Sequence, residues 1–168
     1  GFDDNLWHNY LTFFLMMSEN PFSMTCEKVG ASDGSVNELV ENDFRIFKEL
    51  FDYDFGPIEK DLGINCFSQI SNYKAIHKKD LMYNKNVSEK VRSLSKKLEA
   101  AKDEKEFFDA VTGFYKDYGV GMFGLNKAFR IDDTPQGSFT FRAINNMDTV
   151  MLDDLVGYEI QKKKLVDN

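Results

Sequence analysis

The sequence predicts a mainly α fold of the α+β class, a helical domain with a small antiparallel β-hairpin near the C-terminus. Three observations predict it. Apolar residues recur at helical spacing in several long stretches, cap-forming residues stand just before most of them, and one late stretch alternates with the two-residue period of a strand.

Residues 4–18 form the first expected helix. Leu6, Trp7, Tyr10, Leu11, Phe13, Phe14, Leu15 and Met17 make it apolar on more than one face, the mark of a buried helix. Pro21 should end it, because proline forces its predecessor out of the helical region. After the loop Gly30 to Gly34, Ser35-Val-Asn-Glu38 matches a capping box ahead of Val36, Leu39, Val40, Phe44, Phe47, Leu50 and Phe51. A short helical turn is expected from Pro57 to Gly63, and short turns and loop from Asn65 to Asn86. Asn86-Val-Ser-Glu89 offers a second cap, before Val87, Val91, Leu94 and Leu98 on a Lys-rich rod. Asp103-Glu-Lys-Glu106 offers a third, before Phe107, Phe108, Val111, Phe114 and Tyr115, with Gly119 as the stop. With only a few residues between them, around Ala101 and Lys102, these two helices should form an antiparallel hairpin.

Ala128 to Ile131 and Ser138 to Ile144 flank Asp132-Asp-Thr-Pro-Gln-Gly137, whose residues suit a tight reversal. Phe139 and Phe141 alternate with Ser138, Thr140 and Arg142, so a β-hairpin is expected, one edge of it completed by residues outside this chain. The chain thus divides into a helical domain over 1–118, a glycine turn and hairpin over 119–150, and a linker segment over 151–168. In that last segment Asp153 and Asp154 precede an amphipathic run with no Gly or Pro stop, and the chain is expected to end inside a helix, cut from a longer protein.

Length and composition narrow the function classes. The 168 residues suffice for a real core, and 42% apolar residues with 16 Phe supply it. The apolar run Leu11 to Met17 is far shorter than the roughly 20 residues that cross a bilayer. No membrane partner is expected. Two cysteines fit free thiols in a cytoplasmic protein better than a disulfide framework.

Net charge is −7, yet residues 73–102 carry nine Lys or Arg against three Asp or Glu, a basic segment on an acidic body. A solvated helix face explains such a segment; so does docking to an acidic partner. Lys78, Lys79, Lys90, Lys96 and Lys97 are the partner-binding candidates if the chain is a stand-alone adaptor. The acidic total argues against nucleic acid, where phosphate neutralisation supplies most of the affinity.

Other constellations favour structural readings. Gly119-Val-Gly121-Met-Phe-Gly124 has GxGxxG spacing but follows a helix instead of a strand, which suggests a flexible turn. Cys26, Cys66, His8 and His77 lack the close pairing of zinc ligands, and a Cys–His nucleophile has no local signature. Neither a catalytic residue nor a metal ligand is assigned. The doublets Asp3-Asp4 and Asp153-Asp154 precede expected helices as caps, and Asp132-Asp133 sits in the expected turn. The clusters Phe51-Asp-Tyr-Asp-Phe55 and Phe13-Phe14 could expose rings, though core packing is the more frequent use.

Trp7-His-Asn-Tyr-Leu, Glu19-Asn-Pro-Phe22, Gly63-Ile-Asn-Cys66, Gly119 to Phe129 and Leu152-Asp-Asp-Leu-Val-Gly157-Tyr-Glu form a set. As a set they resemble the N-terminal region of an uncharacterised bacterial AAA+ ATPase family, domain of unknown function 815. The resemblance spans nearly the whole chain, and its last block is the most specific. It implies a non-catalytic N-terminal domain that regulates a cytoplasmic ATPase or selects its protein clients. The AAA+ module would follow in cis, and an oligomeric full-length protein is compatible with the resemblance. The resemblance also implies ATP and magnesium for the full-length protein and no cofactor for this chain, which has no Gly-Lys-Ser/Thr loop. Val156 and Gly157 would lie against adenine, with Leu155 and Tyr158 as neighbours. The helix after Gly157 should then be poorly packed here, with Ile160 and Leu165 unburied.

Overall fold

A computed structural model describes residues 4–31, 35–75, 85–135, 137–144, 154 and 156–167. These form nine helices and a two-stranded antiparallel sheet, the expected class. The helices are α1 (Leu6–Met17), α2 (Pro21–Val29), α3 (Ser35–Phe51), α4 (Gly56–Leu62), α5 (Cys66–Ser71), α6 (Lys85–Ala100), α7 (Glu104–Tyr118), α8 (Gly121–Leu125) and α9 (Glu159–Val166). The strands are β1 (Phe129–Asp133) and β2 (Phe139–Ala143), with Ile131 opposite Phe141. None of the described helices is long and apolar enough to cross a membrane.

Helix α1 is central, touching α3, α5, α6 and α8, while α2 and α3 lie along α7, which pairs with α6 as an antiparallel hairpin. Phe107 of α7 is fully buried and meets Phe44 and Phe51 of α3, with ring centroids 6.1 and 5.3 Å away. Met16, Val91, Leu98 and Val111 are equally enclosed. Aromatic pairs at these separations and tilts add to the free energy of burial itself.

Several helix ends are closed by side chains from other elements. The last carbonyls of an α-helix have no partner within it and need donors from elsewhere. For α3, Trp7 Nε1 donates to Leu50 O at 2.8 Å, and His8 Nε2 lies 2.7 Å from Phe51 O. A carbonyl only accepts, so His8 carries its proton on Nε2. For α1, the buried Tyr115 hydroxyl donates to Leu15 O at 2.9 Å; burial raises its pKa further out of the physiological range. For α2, Lys116 Nζ donates to Lys28 O at 3.3 Å. Between α4 and α5, Glu59 accepts from the Ser68 amide at 2.8 Å and from its hydroxyl, bonds that hold the carboxyl below the usual glutamate range.

Several expectations need correction. Helix α2 was not expected, because Asn20-Pro21 read only as a stop. Proline is equally suited to the first turn of a helix, and Asn20 with Ser23 forms a reciprocal capping box. Asn86 lies inside α6 and is not its cap; its amide instead donates to Leu125 O at 3.0 Å. Asp103 caps α7 as expected, accepting from Glu106 N at 2.8 Å, and Gly119 closes that helix with φ 83°. The Ser35 cap falls on a side chain outside the described residues.

The glycine run is not a loose turn, since it carries α8, and Gly119, Gly121 and Gly124 are buried. The acidic doublets also move. Asn5, rather than an aspartate, caps α1, while Asp4 pairs with Tyr73 in an isolated bridge. Asp132 and Asp133 belong to β1, not to the turn. Tyr158 stands at the N-cap of α9, four residues beyond Asp154; Asp153 lies outside the described residues. Of the aromatic clusters, Phe51 is buried, whereas Tyr53 and Phe14 are about half exposed.

Candidate binding surfaces

The basic segment and the C-terminal linker held the candidate residues, and the structure places them in different surroundings. Lys78 and Lys79 lie outside the described residues, as does Leu155. Lys96 and Lys97 are exposed on α6. Lys90, one turn and more toward the start of that helix, is half-buried and turned inward. Its Nζ donates to Gly124 O at 2.8 Å and to Leu125 O at 3.4 Å, and it stands 4.9 Å from the centre of the Tyr118 ring. Desolvation, and then the charge of Lys127, lowers its pKa.

Lys90 therefore serves the fold directly. Together with Asn86 it supplies donors to the orphan carbonyls at the end of α8, and it ties the glycine run to α6. Replacing it with methionine keeps the stem but removes the donors. Lys90→Met is expected to lower unfolding stability by about 1–2 kcal/mol, read as a lower urea midpoint at unchanged slope.

Lys90 and Lys97 also line a groove of about 410 Å³ between α6 and α7. Leu94 and Phe114 give it an apolar floor, and Asp109 and Asp117 face the lysines from α7. The volume is that of a small-ligand cleft, and its lining carries both signs of charge. The basic segment is thus partly neutralised where two of its lysines meet the second helix of the hairpin.

The groups with nucleophilic or ligating chemistry are dispersed. Cys26 is buried in α2, and burial pushes its thiol pKa up, away from the reactive thiolate. Cys66 is exposed at the start of α5. His8 uses Nε2 on Phe51 O and turns Nδ1 toward Glu99 at 3.8 Å, so neither nitrogen meets a thiol. His77 lies outside the described residues. Among the described residues no three His, Cys, Asp or Glu side chains gather as a metal-binding group.

The C-terminal segment presents itself to solvent. Val156 is 90% exposed, and Gly157 follows it with φ 88° and open space where a Cβ would project. Tyr158 is about half exposed. Helix α9 buries none of its residues; Ile160, Leu165 and Val166 are each more than two-thirds exposed. That is the poor packing expected of this helix. No protein-family model, curated protein or solved structure matches the chain.

Proposed function

We propose that this chain is the non-catalytic N-terminal regulatory or partner-recognition domain of a cytoplasmic AAA+ ATPase, whose linker, Val156 to Tyr158, packs on the adenine of ATP bound by the module that follows. What supports the reading, beyond the motif resemblance, is the exposure of Val156 beside a glycine in the left-handed region. An aliphatic side chain next to a residue without one offers a flat apolar seat to a purine, and a left-handed turn is costly for any other residue. Solvent-exposed Ile160, Leu165 and Val166 on α9 fit a helix whose packing partner is another module. Magnesium and the phosphate-binding loop would belong to that module.

The test has two arms. The encoding reading frame is expected to run from Asn168 into a Gly-x-x-x-x-Gly-Lys-Ser/Thr loop, and in that longer protein Val156→Asp is expected to weaken ATP binding about tenfold by setting a charge against the ring. A stop codon after Asn168, or unchanged ATP affinity in the variant, would overturn the reading. The groove between α6 and α7 favours a second one, a stand-alone adaptor that holds its partner between Lys97 and Asp109.

A further inference from the structure

The hairpin touches the helical body mainly through Phe123, and its two faces differ sharply. Phe129 and Ile131 of β1 share one face with Phe139 and Phe141 of β2, and Phe123 of α8 joins them, 4.8 Å from Phe129 and 5.5 Å from Phe141 between ring centres. This apolar face is open: Ile131 is 62% and Phe139 65% exposed. Two strands with one uncovered apolar face are marginal in water; three or more are needed for independent stability.

The backbone leaves both edges of the two-stranded sheet open, and the charges on β1 decide between them. Ile144 N donates to Ala128 O at 2.9 Å and Thr134 N to Ser138 O at 2.8 Å, so these are hydrogen-bonded pairs of the ladder. Bonded pairs alternate in an antiparallel ladder, which makes Arg130 with Arg142 and Asp132 with Thr140 the bonded pairs between them. The amides and carbonyls of Phe129, Ile131 and Asp133 therefore point away from β2, and none has a partner among the described residues. A free edge of this kind is a template for another strand.

The polar face carries an unsolved charge problem. Arg130 stands directly opposite Arg142, a destabilising arrangement of like charges. Arg142 is neutralised by Asp132, with Nε 2.7 Å and Nη2 3.1 Å from its carboxylate oxygens. Arg130 is exposed and has no anionic partner among the described residues.

We propose that a second copy of this chain supplies the missing strand: β1 pairs antiparallel with β1 of the second copy about a two-fold axis through Ile131. In that register Ile131 meets Ile131 of the second copy through their outward backbone groups. Arg130 then lies opposite Asp132 of the second copy, and Asp132 opposite Arg130, as the two-fold requires. These are non-bonded pairs of the new ladder, where side chains approach most closely. Centring the axis on Phe129 would set Arg130 against Ala128, centring it on Arg130 would set two arginines face to face, and centring it on Asp132 would set Arg130 against Thr134. Only the Ile131 centre satisfies both the open edge and the free arginine. The product is a four-stranded sheet, β2–β1–β1–β2, whose apolar face is continuous across both copies.

Sedimentation equilibrium of the 168-residue protein is expected to give twice the chain mass of 19.4 kDa, with the Ile131 amide slow to exchange in the dimer. Arg130→Asp turns both new ion pairs into repulsions and is expected to weaken association about 30-fold. The double exchange R130D/D132R restores opposite charges across the axis and keeps a carboxylate facing Arg142, so it should recover the wild-type dissociation constant. Circular dichroism confirms that each variant folds. A monomer at concentrations up to about 1 mM, an unprotected Ile131 amide in a dimer, or a folded double variant that fails to recover would overturn the proposal.

Discussion

Phe107→Ala is expected to cost about 3–5 kcal/mol of unfolding stability, because Phe107 is the largest fully buried side chain among the described residues. The ring is fully buried at the junction of α3 and α7, edge-on to Phe51 and tilted against Phe44. Its removal loses the transfer free energy of the ring, two aromatic pairings, and the contacts of a cavity that two rigid helices cannot collapse to fill. A domain of this size has about 5–15 kcal/mol in total, so the melting temperature should fall by roughly 10 °C. Phe139→Ala in the monomer is the control. That ring is 65% exposed on the hairpin, and its loss should change stability by no more than about 0.5 kcal/mol. Thermal denaturation of the two variants side by side checks the contrast; equal effects would show that Phe107 is not the keystone of the α3–α7 contact.

Gly124→Ala is expected to cost about 3 kcal/mol or more, through backbone contact and not through lost burial. A Cβ there would lie 2.3 Å from the carbonyl carbon of Gly119 and 2.5 Å from its oxygen. Neither helix can yield locally, because Gly119 is the C-cap of α7 and Leu125, beside Gly124, is 1% exposed. Helix α8 would have to lift, breaking the bonds from Lys90 and Asn86. Gly113→Ala provides the opposite sign. Gly113 sits inside α7 with nothing within 4 Å of a projected Cβ, so alanine should stabilise by about 0.5–1 kcal/mol through helix propensity alone. Denaturant midpoints of the two variants on either side of wild type are the expected result. A neutral Gly124→Ala would mean that the approach of α8 to α7 is looser than the geometry shows.

Much of this architecture was legible because its determinants are local. The apolar periodicity of α3 and α7, the Asp103 cap and the Gly119 stop each act over a few residues, and the structure uses them as expected. Helix α1, expected to be buried on more than one face, instead turns Tyr10, Phe13, Phe14 and Met17 to solvent and buries a single face with Leu11, Leu15 and Met16. Helix α2 escaped because it is only nine residues long, too short for an apolar period to stand out, and buries only Ser23 and Cys26. Its signal was the Asn-Pro-x-Ser start, in which proline opens a helix instead of ending one. Asn86 and Lys90 show a different obstacle. Their types suited a cap and a solvated charge, but both meet carbonyls more than 30 residues away, a pairing that no local pattern encodes. The groove has the same origin, since Lys97 and Asp109 face it from separate helices. The C-terminal segment was the reverse case. There the expectation was a lack of packing, and Ile160 and Leu165 are exposed accordingly.

The borrowed closures at the ends of α1, α2, α3 and α8 have a consequence for how the molecule comes apart. A helix that supplies its own terminal partners can peel away while its neighbours remain intact. Here the departure of α7 would strip donors from the ends of both α1 and α2, and the departure of α1 would strip them from α3. Each detachment carries the desolvation or rehydration of a second helix with it, which raises partial opening toward the cost of full unfolding. The helical body should therefore be lost in a single concerted step. The hairpin and α9, which take no part in this exchange of donors, remain free to respond to whatever binds them.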